Sequence, residues 1–440
     1  MHDPGLIRGV CLILPILATY ALWTLRKPLP RNGAAAFLAT LWNVPILLAL
    51  QYANQIFHWW SFSADGGVIA GMPTDFLISW SLLWGAIPTL AFPFLRLVPL
   101  AIIFFALDLS LMPLCAPVVR LNATWLIGEA AAIFCAFVPA QLLAIWTRES
   151  RNLRGRVLLQ GISFAGVFFL VLPQAILDQV GHGGDALGSR PLWLTGIYLQ
   201  MLGVPTIVAL SAVQEFRQRG FGTAIPYDPP RRLVTTGVYA YVANPMQIAT
   251  IITFFGLGSL IGDIWVAAGG AVAFAYSVGV ANWNEDAEHA QRYGDAWRLY
   301  RTGVRRWRFR FRPWHPSVEL AGKLAGEPPP PARLYYDREC APYRQLAEWI
   351  KSHRPRGLTL IPAQMHPNRD LTRLTYDPAD GCPEEEGVAA LARALEHIHL
   401  GYAYVGWALR LPIVRQLAQT IGDAAGGGPR VARRDAQRTG

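Results

Sequence analysis

Hydrophobic and polar positions divide the chain into two regimes. Through residue 282, long apolar runs alternate with short polar loops that carry arginine. A bilayer core about 30 Å thick takes roughly 20 apolar residues per helix. Nine runs approach that length: 6–25, 34–52, 75–94, 98–117, 124–147, 157–177, 192–213, 246–262 and 264–282. The last two are short and predict a tight helical hairpin. Prolines 15, 45, 88, 139, 173 and 205 fall inside runs and predict kinks, which neighbouring helices make tolerable. Beyond residue 283 the periodicity becomes that of a water-soluble fold.

Charge sharpens this division. Residues 1–282 hold 15 Lys/Arg and 11 Asp/Glu, whereas 283–440 hold 24 and 18. The whole chain is 15% charged, against roughly 25% for a soluble domain. A soluble enzyme, a disordered chain and a fibrous repeat are excluded. Five cysteines, three of them in apolar runs (Cys11, Cys115, Cys135), exclude a disulfide framework. Loops on one side contain Arg26, Lys27, Arg31, Arg96, Arg148, Arg151, Arg154, Arg156, Arg217, Arg219, Arg231 and Arg232, and those on the other contain Arg120 and Arg190. The positive-inside rule puts the N-terminus outside and the C-terminus in the cytoplasm. The expectation is a multi-pass protein of the cytoplasmic membrane. The net charge of +10 points to anionic lipid headgroups, not to nucleic acid.

Some residues suggest chemistry. Asp108 and Glu129 lie within spans, where an ionisable group marks a site by default. The loop Phe57-His58-Trp59-Trp60 reads as an interfacial aromatic belt. Pro226 to Pro230 breaks helix, Thr236-Gly237 is a turn, and Asn244-Pro245 starts a membrane helix. Glu285, Asp286 and Glu288 follow the hairpin on a face otherwise basic. The alternation Arg305 to Arg312 of basic and aromatic residues reads as a segment lying on lipid headgroups.

The stretch 217–314 resembles the isoprenylcysteine carboxyl methyltransferase and phospholipid methyltransferase superfamily. Its first motif half, L-V-x-x-G-x-Y followed by R-H/N-P-x-Y, appears as Leu233, Val234, Gly237, Tyr239, Asn244 and Pro245. The second half, an acidic pair and then F-G-x-x-Y-x-x-Y, appears as Glu285, Asp286, Tyr293, Gly294, Trp297 and Tyr300. The resemblance implies a membrane methyltransferase core over 190–314, using S-adenosylmethionine on a lipid or lipophilic small molecule. Leu233, Val234, Tyr239 and Asn244 then contact the cofactor, and Glu285 binds its ammonium end. Tyr293, Trp297 and Tyr300 share a helix face and read as packing. The chain departs from the family's residues at Ala243, Gln247 and Ala281. The last change weakens a prenylcysteine carboxylate as substrate.

The domain expectations are spans of unassigned role at 1–189, a proline-rich linker at 315–331, an α/β domain at 332–425 and a disordered basic tail at 426–440. The α/β segment reads strand, cysteine turn, helix, strand. It resembles the thioredoxin-like thiol-disulfide oxidoreductases with a D-x-x-C-x-x-C motif, matched at Asp337 and Cys340, with Tyr343 at the second cysteine. Leu411-Pro412 also fits. The resemblance implies a possible redox role for Cys340 at a helix N-terminus, alone or with Cys382, or a degenerate domain that binds a protein partner. The alternative function is therefore a membrane-tethered thiol-redox or binding protein. No metal site is expected: His397 and His399 point apart on a helix.

Overall fold

The computed structural model describes residues 3–181, 189–223, 229–316 and 330–433, with the side chains of 280–285 and 425–426 left undescribed. The chain forms two compact units. The first comprises residues 1–185, 225–228 and 261–266, and the second 186–224, 229–260 and 267–440.

In the first unit, helices α1 (Pro4–Arg26), α2 (Pro30–Phe57), α3 (Thr74–Trp84), α4 (Ala86–Ala91), α5 (Leu97–Cys115), α6 (Trp125–Arg148) and α7 (Leu153–Gln179) follow the apolar runs. Helix α2 is its centre. Gly33 to Ala36 are small and buried, which lets neighbouring helices come close. The run expected at 75–94 is broken at Gly85 by non-helical backbone (φ −107°, ψ −85°), and a side chain there would strike the backbone of Thr40 at 2.5 Å. Pro139 and Pro173 each follow a π-type turn (Ile133–Phe137 and Val167–Val171), which absorbs the missing N–H. Strands β1 (Trp60–Phe62) and β4 (Val119–Leu121) pair antiparallel, and β2 (Val68–Ile69) pairs with β3 (Met72–Pro73). Asn54 holds both the N–H and the C=O of Trp60. Trp59 is buried and Trp60 half-buried, whereas Phe57 and His58 are exposed, so only the first part of this loop faces outward.

The second unit begins with α8 (Leu192–Gln218) and the hairpin α9 (Pro245–Ile261) and α10 (Ile264–Tyr276), then α11 (Asn282–Gly303). Among the described residues, six helices (α1, α2, α5, α6, α7, α8) are long and apolar enough to cross a membrane, while α9 and α10 are shorter. After the hairpin come β5 (Ala332–Tyr336), α12 (Ala341–Ser352), β6 (Leu358–Pro362), β7 (Thr375–Asp377) and β8 (Glu385–Glu386). Helices α13 (Val388–Leu395), α14 (Leu400–Leu409) and α15 (Pro412–Gly422) complete it. The sheet order is β6-β5-β7-β8, with β5 parallel to β6 and antiparallel to β7. Most of the linker (317–329) lies outside the described residues. In the segment expected to be a basic tail, Arg430 N–H donates to Thr372 O at 2.9 Å and Ala432 N–H to Leu371 O at 2.8 Å.

Candidate functional site

The first motif half forms a tight turn against α8. Gly237 has φ of 58°. A side chain there would meet the Glu215 carboxylate at 2.6 Å, so glycine is required twice over. Val234 and Tyr239 are buried, with Tyr239 stacked on Phe216 at 5.0 Å. Leu233 and Asn244 are half-buried. Asn244 donates to Gln247 Oε1 at 2.9 Å, using the side chain that replaces the family tyrosine. The Leu233 side chain and Ala243 pack against Trp297 and Tyr300.

The second half converges on the first. Tyr300 donates to the Tyr239 carbonyl at 2.8 Å, and Tyr293 donates to the Pro230 carbonyl at 2.7 Å. These aromatics are fasteners between the halves. Gly294, at φ 56° and ψ −130°, bends α11 so that both tyrosines face the turn. The segment 305–314 then runs along the first half, with Ala243 N–H to Arg305 O at 3.0 Å, Arg310 N–H to Tyr241 O at 2.9 Å and Trp314 N–H to Ala240 O at 2.8 Å. The basic–aromatic run is thus built into the site by its backbone. Asp286 pairs with Arg306. Glu285 lies in the first turn of α11 and its side chain is outside the described residues.

Sequence reasoning missed His289. It sits one helical turn after Glu285, its ring packed 4.7 Å from Trp297 and 5.7 Å from Tyr293. Its Nδ1 is buried without a hydrogen-bond partner. Burial holds the imidazole below its ordinary pKa, so it is neutral at pH 7. The available signal was its spacing from the acidic pair.

A second feature joins the turn to the C-terminal segment. Glu215 is fully buried and accepts from Arg393 and Arg410, each at 2.6 Å, and from the Thr236 hydroxyl at 2.7 Å. Arg393 also meets Glu385 at 2.7 Å, and Arg410 meets Glu396 at 2.8 Å. Arg219 reaches Glu385 at 3.3 Å. Three acids face three guanidiniums, which is the condition for burying charge without leaving one unpaired. Burial alone would raise the Glu385 pKa, but Arg393 and Arg410 outweigh it and hold the carboxyl below the usual range. Nearby, α8, α9, Phe309, Phe311 and α14 line an apolar groove of about 430 Å³.

Cys340 caps the N-terminus of α12 and is buried, with Arg430 Nη1 at 4.0 Å. Cys340 and Cys382 are both free thiols. Tyr343, at the position of the motif's second cysteine, donates to the Gly427 carbonyl at 3.1 Å. Among the described residues, no group of three His, Cys, Asp or Glu side chains is placed to hold a metal ion.

Fold and site together define a class: a multi-pass membrane protein with a two-part motif site at the ends of a helical hairpin. Residues 192–296 match the phospholipid methyltransferase family model. That span takes in Leu233, Val234, Tyr239, Asn244 and Glu285 and stops four residues before Tyr300. No curated protein and no solved structure matches the chain.

Proposed function

We propose that the protein is an integral membrane methyltransferase that uses S-adenosylmethionine to methylate O, N or S of a lipid or lipophilic small molecule. The observation carrying this reading is the convergence of the two motif halves through Tyr300–Tyr239 and Tyr293–Pro230. The residues present fit the cofactor. Leu233 and Asn244 offer a half-open apolar and polar wall, Glu285 suits an ammonium group, and His289 supplies an orphaned buried nitrogen. When bound, S-adenosylmethionine supplies an electrophilic methyl group on sulfur. Glu285 and Asn244 orient it. Val234 and Tyr239 form a dry floor that keeps water from the reacting centre. Neutral His289 accepts a proton from the attacking acceptor atom. Catalysis rests mainly on positioning. The apolar groove supports a lipophilic acceptor, since its volume lies in the roughly 300–1,000 Å³ range of small-molecule sites.

The C-terminal segment supports a thioredoxin-like reading through its strand order and parallel β–α–β start. Cys340 at a helix N-terminus favours the second reading, a thiol-redox or partner-binding protein. The test is transfer of labelled methyl from S-adenosylmethionine to native lipids by reconstituted protein. Labelled lipid that disappears in Glu285→Ala supports the proposal. Absence of label with folded wild type contradicts it and turns attention to Cys340.

A further inference from the structure

Helix α15 (Pro412–Gly422) turns its polarity the wrong way round for a water-soluble domain. Gln419 faces the protein: its Oε1 accepts from the Val388 N–H at 2.8 Å, at the start of α13, and its Nε2 donates to Asp423 Oδ1 at 2.7 Å. Arg373 holds Asp423 in turn, with Nη2 donating to Oδ2 at 2.9 Å. These bonds fix the rotation of the helix. Ile413, Leu417 and Ile421, spaced four apart, share the opposite face. They are 74%, 60% and 68% exposed, and Val414 beside them is also exposed.

An apolar row turned outward while an amide faces inward is the reverse of what water selects. An exposed apolar face of this kind marks an interaction surface. Its place in the fold identifies the partner. Helix α8 is long and apolar enough to cross a membrane. At about 1.5 Å per residue, its 27 residues outreach a hydrocarbon core about 30 Å thick. Its last two turns carry Gln214, Glu215, Arg217 and Gln218 and so stand at the bilayer surface. Helix α15 starts at that level. Gln214 Nε2 donates to the Arg410 carbonyl at 3.2 Å, two residues before Pro412, and Arg410 Nη2 donates to Gln218 Oε1 at 2.6 Å. The preceding helix α14 packs through Ala403 and Trp407 against Val208 and Ala212 of α8. Each of the three helices exposes apolar side chains: Leu210 on α8, Val405 on α14 and the row on α15. A second copy of the chain fits this face less well, because four aliphatic side chains fall short of the roughly 800 Å² per partner that a stable dimer buries.

We propose that α15 is an interfacial helix, with Ile413, Leu417 and Ile421 seated among the phospholipid acyl chains of the leaflet at which α8 ends. Such a helix buries its apolar face about 5–10 Å below the headgroups. The C-terminal α/β segment is then held on the bilayer by its own surface as well as by the Glu215 cluster. This surface lies apart from the motif site, and the inference holds whether or not the chain transfers methyl groups.

The test uses the full-length protein in nanodiscs of phosphatidylcholine that carries a photoactivatable diazirine in one acyl chain. After irradiation, mass spectrometry maps the lipid adducts, with the apolar helix α1 as internal control. Adducts on 412–422 at a level comparable to α1 are expected. The double variant Ile413→Asn, Leu417→Asn changes two exposed positions, so its melting temperature in detergent stays as in wild type, while adducts on 412–422 fall severalfold and those on α1 do not. If the double variant does not fold, Leu417→Asn alone carries the comparison. Absence of adducts on wild-type 412–422 where α1 is labelled overturns the proposal, as does equal labelling of the folded variant. Chain-to-chain cross-links through 412–422 in place of lipid adducts overturn it in favour of a second copy.

Discussion

Glu215 stands between two guanidiniums and the Thr236 hydroxyl, in a helix otherwise apolar enough to cross a bilayer. Removing one member of a buried ion cluster leaves the others unpaired. Glu215→Gln and Arg393→Met are each expected to destabilise the second unit by about 3–5 kcal/mol, read by denaturant unfolding in detergent. Unchanged unfolding would show that the cluster is not a structural tie. Thr236→Val removes one hydroxyl bond and is expected to cost only about 1 kcal/mol. His289→Asn tests the proton acceptor: turnover is expected to fall on the order of a hundredfold with the melting temperature unchanged. A melting shift without loss of turnover would make His289 a packing residue. These residues differ in how far they could be read in advance. Leu233, Val234, Tyr239 and Asn244 lie close together in the chain and match the spacing of a family motif, so the resemblance alone singles them out. Arg393 and Arg410 meet Glu215 from 178 and 195 residues away, and no local pattern encodes that pairing.

At the scale of elements, apolar length predicted where helices lie and local geometry decided how they break. Gly85 divides one expected span with non-helical backbone, at a point where the Thr40 backbone passes too close for a side chain. The C-terminal strands at 332–336 and 358–362 and the helix at 341–352 follow the residue pattern closely. The short β7 and β8 were not visible, since three and two residues carry no readable alternation. Gly294 bends α11 at a backbone conformation open to glycine, and a side chain there would meet nothing. Gly294→Ala therefore isolates backbone strain and is expected to cost about 1–3 kcal/mol, with the Tyr293 and Tyr300 fasteners loosened. Equal stability would show that the bend is dispensable. A pH effect belongs to the contact between α13 and the sheet. His397 Nδ1 donates to the Arg356 carbonyl at 2.7 Å, so Nε2 accepts from Tyr376 at 3.0 Å. Desolvation pushes this imidazole down to about 4. Between its ordinary value near 6.5 and about 4, the unfolded chain binds a proton that the folded one does not. The contribution is present above the ordinary value and is lost as pH falls through that window. Unfolding titrations from pH 7 to 4 should show the decline, and His397→Asn should flatten it. A slope unchanged by that substitution would contradict this assignment.

Over the whole molecule, the division into two units separates two kinds of site. The first unit holds the buried acids Asp108 and Glu129, and the second holds the motif turn, the hairpin apart from its tip at 261–266, and the C-terminal sheet. The C-terminal segment is not a tethered accessory. Tyr241 donates to the Glu396 carbonyl at 2.8 Å, Trp407 packs edge-on against Tyr241 at 5.5 Å, and the guanidinium cluster closes on Glu215. Composition could separate an apolar region from a soluble one, but it could not show that the soluble part packs back onto the motif turn. The most direct test of the central claim is S-adenosylmethionine binding to detergent-purified protein by titration calorimetry, with Glu285→Ala beside it. Saturable binding by wild type that is lost in the variant is the result expected here. No binding by folded wild type, or equal binding by the variant, would contradict it.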